Sequence, residues 1–177
     1  MMLRDSTHAN TSLTFEQYYP GFTLPILDSA SGKLSMAYAE PEERETILRW
    51  MRMSEDIDAN YLKIAEGRLD IEKTQKHGYA LQGRNDFNLN PGKTASIAVP
   101  IFLNGNFEAA MTMVFFVAAM RIGTAVTTYI DDLKATAAAI SKSLSEVDRR
   151  PSSISPASIS PFLQRRAAMR SKYAPAA

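Results

Sequence analysis

Asn104 and Gly105 sit between two long apolar runs, Thr94 to Phe102 and Phe107 to Phe116. An Asn-Gly pair accepts the positive φ angles that a two-residue hairpin turn demands, so this stretch predicts a β-hairpin. Along the first run Ala95, Ile97, Val99 and Ile101 share one face, and Thr94, Ser96, Ala98 and Pro100 the other. Along the second, Ala109, Met111, Met113 and Phe115 oppose Ala110, Thr112, Val114 and Phe116. Both faces of the second run are mainly apolar. That predicts a hairpin at the centre of a sheet, covered on both sides. Ser96 and Thr112 are then small polar groups on a greasy surface, as in many small-molecule pockets.

A chain of 177 residues, 45% apolar, has room for one domain with a real core. A net charge of +1 exerts no overall pull on nucleic acid. Without cysteine there is no disulfide, thiol catalysis or thiolate metal site, which fits a cytoplasmic protein. Met1 to Asn10 has no apolar core of the kind a signal peptide needs. The longest apolar run, Ala109 to Met120, falls short of the roughly 20 residues that span a bilayer.

Met1 to His8 reads as a short strand, Pro20-Gly21 as a turn, and Phe22 to Leu27 as extended. Asp28 or Ser29 then caps a helix in which Leu34, Ala37 and Tyr38 follow at helical spacing. That helix begins among small residues, so its free N–H groups are open to a carboxylate or phosphate. A second helix starts at Pro41. Glu42, Glu43 and Glu45 complement its dipole, and Ile47, Leu48 and Met51 form its apolar face. A third spans Ile57 to His77, with a break near Gly67 and a C-terminal Gly78. Tyr79 to Gln82 is a strand that enters a polar loop, Gly83 to Gly92. The last helix covers Thr124 to Ser145, where Val126, Ile130, Leu133, Ala137, Ile140 and Leu144 recur in steps of four and three. From Asp148 a basic, Ser/Pro/Ala-rich mobile tail is expected, giving a domain over 1–147 and a tail over 148–177.

Little in the chain suggests catalysis. Gly92-Lys93-Thr94 ends like a phosphate loop, but Phe87 holds the place of its first glycine. Gly32-Lys33 is followed by Leu34 rather than Ser or Thr. His8 and His77 lack a metal-ligand spacing. No Gly-x-Ser-x-Gly elbow occurs. The reading is a non-enzyme without metal or cofactor.

Four stretches, taken in order, resemble the effector-binding domain of the IclR family of bacterial transcription regulators. They are Phe22 to Lys33 with Ala37-Tyr38, Pro41 to Leu48, His77 to Ala80, and the pair Ala95–Phe102 and Ala109–Val114 with the helix to Leu144. Leu3 to His8 and Ser96 to Pro100 look most like the branch of the family that serves hydroxyphenylpropionate catabolism.

The resemblance implies an α+β fold, a GAF- or profilin-like antiparallel sheet flanked by helices. It also implies binding of a small, here aromatic, carboxylic acid, and a homodimer or tetramer. DNA contact in the family runs through an N-terminal winged helix that has no counterpart in this sequence. The match starts inside the domain, so a sheet incomplete on its N-terminal side is expected, with an edge that invites another chain. Carried across residue by residue, the family's ligand contacts fall on Ala30, Ser31, Gln82, Ser96 and Thr112, and on Val114, where an apolar residue suits an aromatic or longer acid. Two other readings compete with the sensor: a regulator fragment that acts only by oligomerising, and an enzyme on a GAF-like fold working through His77 or Ser96.

Overall fold

The turn at Asn104-Gly105 has φ angles of 51° and 89°, and it joins β2 (Thr94–Leu103) to β3 (Asn106–Phe116) in an antiparallel hairpin. With β1 (Ala80–Gln82) these strands form a three-stranded sheet in the order β1-β2-β3. The computed structural model describes residues 1–7, 10, 19–55, 57–83 and 93–148. The expected loop over 84–92, His8 and the tail beyond 148 lie outside the described residues.

β2, not the hairpin as a whole, is central. Ile97 and Val99 are sealed off on it, whereas Glu108, Thr112 and Val114 of β3 are exposed. No strand among the described residues pairs with the outer edge of β3. The apolar pattern of β3 therefore marks a strand whose faces are only half covered, and the expectation of two covered faces is corrected. A register shift between Ile101 and Phe102 lies near the turn, away from the end of the sheet that meets β1.

Helix α1 (Ala30–Tyr38) lies on one face, where Ala30 and Leu34 pack on Ala80 and Ala98. Helix α5 (Ile122–Asp148) lies on the other. There Ala137, Ile130 and Leu133 meet Val99, Ile101, Ala109 and Met111. Ser141 and Ser145 of α5 accept hydrogen bonds from the N–H groups of Phe102 and Asn104, at 2.9 and 3.4 Å. Among the described residues no helix is long and apolar enough to cross a membrane.

The predicted third helix is two, α3 (Ala59–Gly67) and α4 (Ile71–His77). The break comes at Asp70, whose carboxylate accepts from Lys73 N and starts α4 afresh. Gly78 closes α4 in the left-handed conformation, at φ 67° and ψ 27°. Helix α2 (Pro41–Met53) sets Ile47, Leu48 and Met51 against the core of Leu27, Met36, Leu62 and Ala65. The C-terminus of α1 is tied off by its neighbours. Arg44 Nη1 donates to Met36 O at 3.0 Å, and Gln75 Nε2 to Ala37 O at 2.7 Å. The predicted first strand shrinks to one bridge, Met2 to Thr23, ahead of which Pro20-Gly21 turns as expected with Gly21 at φ 93°.

Candidate functional site

Ser29, not Asp28, caps α1. Its Oγ accepts from Gly32 N at 3.0 Å and donates to Pro25 O at 2.9 Å, while Ser31 Oγ leans on it at 3.3 Å. Lys33 N bonds Ser29 O at 3.0 Å. Two N–H groups of the first turn, those of Ala30 and Ser31, find no acceptor among the described residues. Both residues are buried. These are two aligned donors at the positive end of a helix dipole, held in place by a bonded cap.

Register decides which strand residues share the face that α1 covers. Gln82 pairs with Ser96, and Ser96 with Val114, in one row across the sheet. Ala80, Ala98 and Thr112 form the next row. Directly opposed residues share a face, as do residues two apart along a strand. Ala80 and Ala98 touch α1, so Gln82, Ser96, Thr112 and Val114 all lie on the α1 face. The six sequence-predicted positions are thus brought to one side of the sheet. The floor grades from Gln82, buried beside α1, through half-buried Ser96 to Thr112 and Val114, which are open on the β3 side.

Gln82 is the unusual member. Only 8% of its surface is exposed, and its Oε1 has no hydrogen-bond partner. Its Nε2 donates to Gly83 O at 3.4 Å, which points the nitrogen at a carbonyl and leaves the oxygen as the free end. A buried acceptor without a donor costs about 1–3 kcal/mol.

Beside the donors lies a cluster that spacing alone does not reveal. Lys33 Nζ donates to Leu81 O at 3.1 Å, pinning α1 to β1. Burial pushes the Lys33 ammonium below its ordinary value, Arg68 adds to this, and Asp28 works against it. Asp28 Oδ2 accepts from the Tyr61 hydroxyl at 2.6 Å. Burial, then this bond and the nearby negative charge, raise the Tyr61 phenol. Asp28 was legible as a possible cap, but its bond to a residue on α3 was not.

His77 and Ser96, the residues of the competing enzyme reading, lie on opposite sides of the sheet. His77 stacks on Tyr79 at 5.6 Å, and Tyr79 belongs to the cluster on the α5 face, whereas Ser96 is on the α1 face. No group of three or more His, Cys, Asp or Glu among the described residues can hold a metal ion.

An antiparallel sheet between α1 and α5 is a fold found before. The family described as bacterial transcriptional regulator IclR C-terminal matches residues 9–142. The chain belongs to this family. Solved IclR-type structures share its fold. A transcriptional regulator from Rhodococcus sp. RHA1 is 23% identical with a TM-score of 0.62, over 78% of this chain and 54% of its own. The Thermotoga maritima IclR is 22% identical with a TM-score of 0.55, over 76% and 53%. The inducer-binding domain of the PobR transcription factor from Acinetobacter, solved as a double mutant with 3-hydroxybenzoic acid, is 14% identical with a TM-score of 0.54, over 77% of each. The chain spans about half the length of the Rhodococcus and Thermotoga proteins. The IclR C-terminal family and these neighbours are transcription regulators rather than enzymes.

Proposed function

We propose that this IclR C-terminal domain, read over 1–147, is the sensor of a cytoplasmic transcription regulator and binds a small aromatic carboxylic acid. The carboxylate docks on the N–H groups of Ala30 and Ser31. Ser96, Thr112 and Gln82 orient the polar part of the ligand, and Val114 takes an apolar edge. The observation that carries this reading is the pair of unclaimed helix amides above a row containing a buried, unsatisfied Gln82. The 3-hydroxybenzoic acid bound to the PobR inducer-binding domain, an aromatic acid, supports the ligand class. The sequence likeness to the hydroxyphenylpropionate branch supports arylpropionates within it.

In a full-length regulator the ligand shifts a dimer or tetramer between two arrangements by its differential affinity, and a winged helix carries that shift to DNA. Calorimetric titration with 3-phenylpropionate, its ring-hydroxylated forms, benzoates and short aliphatic acids tests the sensor reading. Saturable heat with an aromatic acid is the expected result. No heat and no thermal shift with any acid would remove the reading.

A second reading, a fragment that works only by joining other chains, draws on the outer edge of β3, which no strand among the described residues pairs. It predicts co-purification with an intact regulator regardless of ligand.

A further inference from the structure

We infer that the outward face of α2 is a contact surface for a second copy of this chain, paired helix against helix in antiparallel order. This contact is separate from the acid cradle and does not depend on it. α2 turns Ile47, Leu48 and Met51 to the core. Its opposite side carries Glu43, Thr46, Trp50 and Met53, spaced three, four and three, which is the seam of a two-stranded helical contact. All four are exposed, and Met53 and Trp50, the chain's one tryptophan, are each 70% open. Trp and Met are residue types that interfaces enrich. Thr46 Oγ1 already donates to Glu42 O at 2.8 Å, so covering it strands no polar group. Charge selects the occupant. The first turn of α2 is acidic, with Glu42 and Glu43, whereas Arg49 and Arg52 lie towards its end. Arg52 is committed within the chain to Glu45 and Glu66, each at 3.0 Å, but Arg49 makes no ion pair among the described residues. Two copies related by a two-fold axis lay the acidic end of each α2 on the basic end of the other, and one patch serves both. A parallel pair would oppose like charges instead. In the antiparallel pair Trp50 lies over Thr46 of the second copy. Met53 lies along the stem of the second copy's Glu43, whose carboxylate turns towards Arg49. With 13 residues α2 is about 20 Å long, so one such pair buries less than the roughly 1,200 Å² of a tight complex. The association is therefore weak, in the micromolar range, and adds to any other contact between copies.

The test is sedimentation velocity on the full chain across a micromolar concentration series, with Trp50 emission followed in parallel. The native chain should form a heavier species as concentration rises, and its emission should shift to the blue as Trp50 leaves water. Trp50→Glu should weaken the association at least about tenfold, and Met53→Glu, on the same face, is the second probe. Arg49→Glu alone should weaken it severalfold by setting acid against acid. Adding Glu43→Lys to Arg49→Glu in one chain should restore it, because the reversed ends match again across the two-fold axis. A native melting transition certifies each variant. A native chain that stays monomeric, with emission independent of concentration, would overturn the inference. Association that persists unchanged in both Trp50→Glu and Met53→Glu would overturn it too, and would assign the contact to another face, such as the outer edge of β3. A double reversal no better than Arg49→Glu alone would overturn the antiparallel order.

Discussion

Gly32 rides directly over Ile26: a side-chain carbon on Gly32 would overlap the Ile26 carbonyl and come within 2.7 Å of its Cα. The obstacle is backbone, so it cannot swing aside. This contact sets the entry angle of α1 and hence the direction of the Ala30 and Ser31 amides. Gly32→Ala should destabilise the chain by about 2–4 kcal/mol in urea unfolding. Gly67 is the control, because a methyl group there would meet nothing within 4 Å and its φ is not positive. Gly67→Ala should stay within about 1 kcal/mol of the native protein.

Ser29→Ala removes the hydroxyl that Gly32 N, Ser31 Oγ and Pro25 O share. A loss of about 1–2 kcal/mol in stability is expected. The first turn would also fray, so acid affinity should fall severalfold by calorimetry. Ser29→Asp, which can still accept from Gly32 N, should recover most of the stability.

Stability above neutral pH should reflect opposed titrations, of which Tyr61 and Lys33 flank Asp28. The Tyr61 phenol is raised in the folded state, so its contribution is complete below the ordinary value of 10.0 and is lost as pH rises beyond that. The Lys33 ammonium is lowered, chiefly by burial, so the folded state sheds its proton before the unfolded state does. Its burden on the fold therefore eases as pH climbs towards 10.5. Tyr61→Phe should cost about 1–2 kcal/mol at pH 7 by loss of the bond to Asp28. It should also make the decline between pH 10 and 11 shallower, the Tyr38 phenol, likewise raised by burial, supplying what remains. Chemical denaturation across that range separates the two groups.

Val114, 43% exposed, faces the proposed cradle without supporting the core. Val114→Glu should change folding stability by less than about 0.5 kcal/mol. The new carboxylate would lower the affinity for any acid by roughly tenfold at low salt and by less at high salt. Glu108→Gln, on the same strand, serves as the charge control and should leave affinity unchanged.

Legibility followed sequence distance. The turn at Asn104-Gly105, the Gly78 cap and the Pro41 start rest on the conformational preferences of one or two residues, and each stood where its local chemistry placed it. The split between α3 and α4 was visible only as a weakness at Gly67, because the restart belongs to Asp70. Both faces of β3 are apolar in composition, yet how much of each is covered depends on packing partners that no strand pattern specifies. The choice of Ser29 over Asp28 as the cap was undecidable from residue type. It turns on Tyr61, which is 33 residues away and holds Asp28 elsewhere. The unpaired Gln82 oxygen is likewise a property of packing, since any strand glutamine looks alike in a sequence.

The outer margin of β3, which no described strand covers, also has a thermodynamic consequence. Thr112 and Val114 belong to that strand, so any segment that lines up along it becomes the neighbouring wall of the acid cradle. Self-association along this seam and ligand uptake would then be linked functions. Apparent affinity would drift with protein concentration, and the acid would in turn promote or dissolve the association by the same factor.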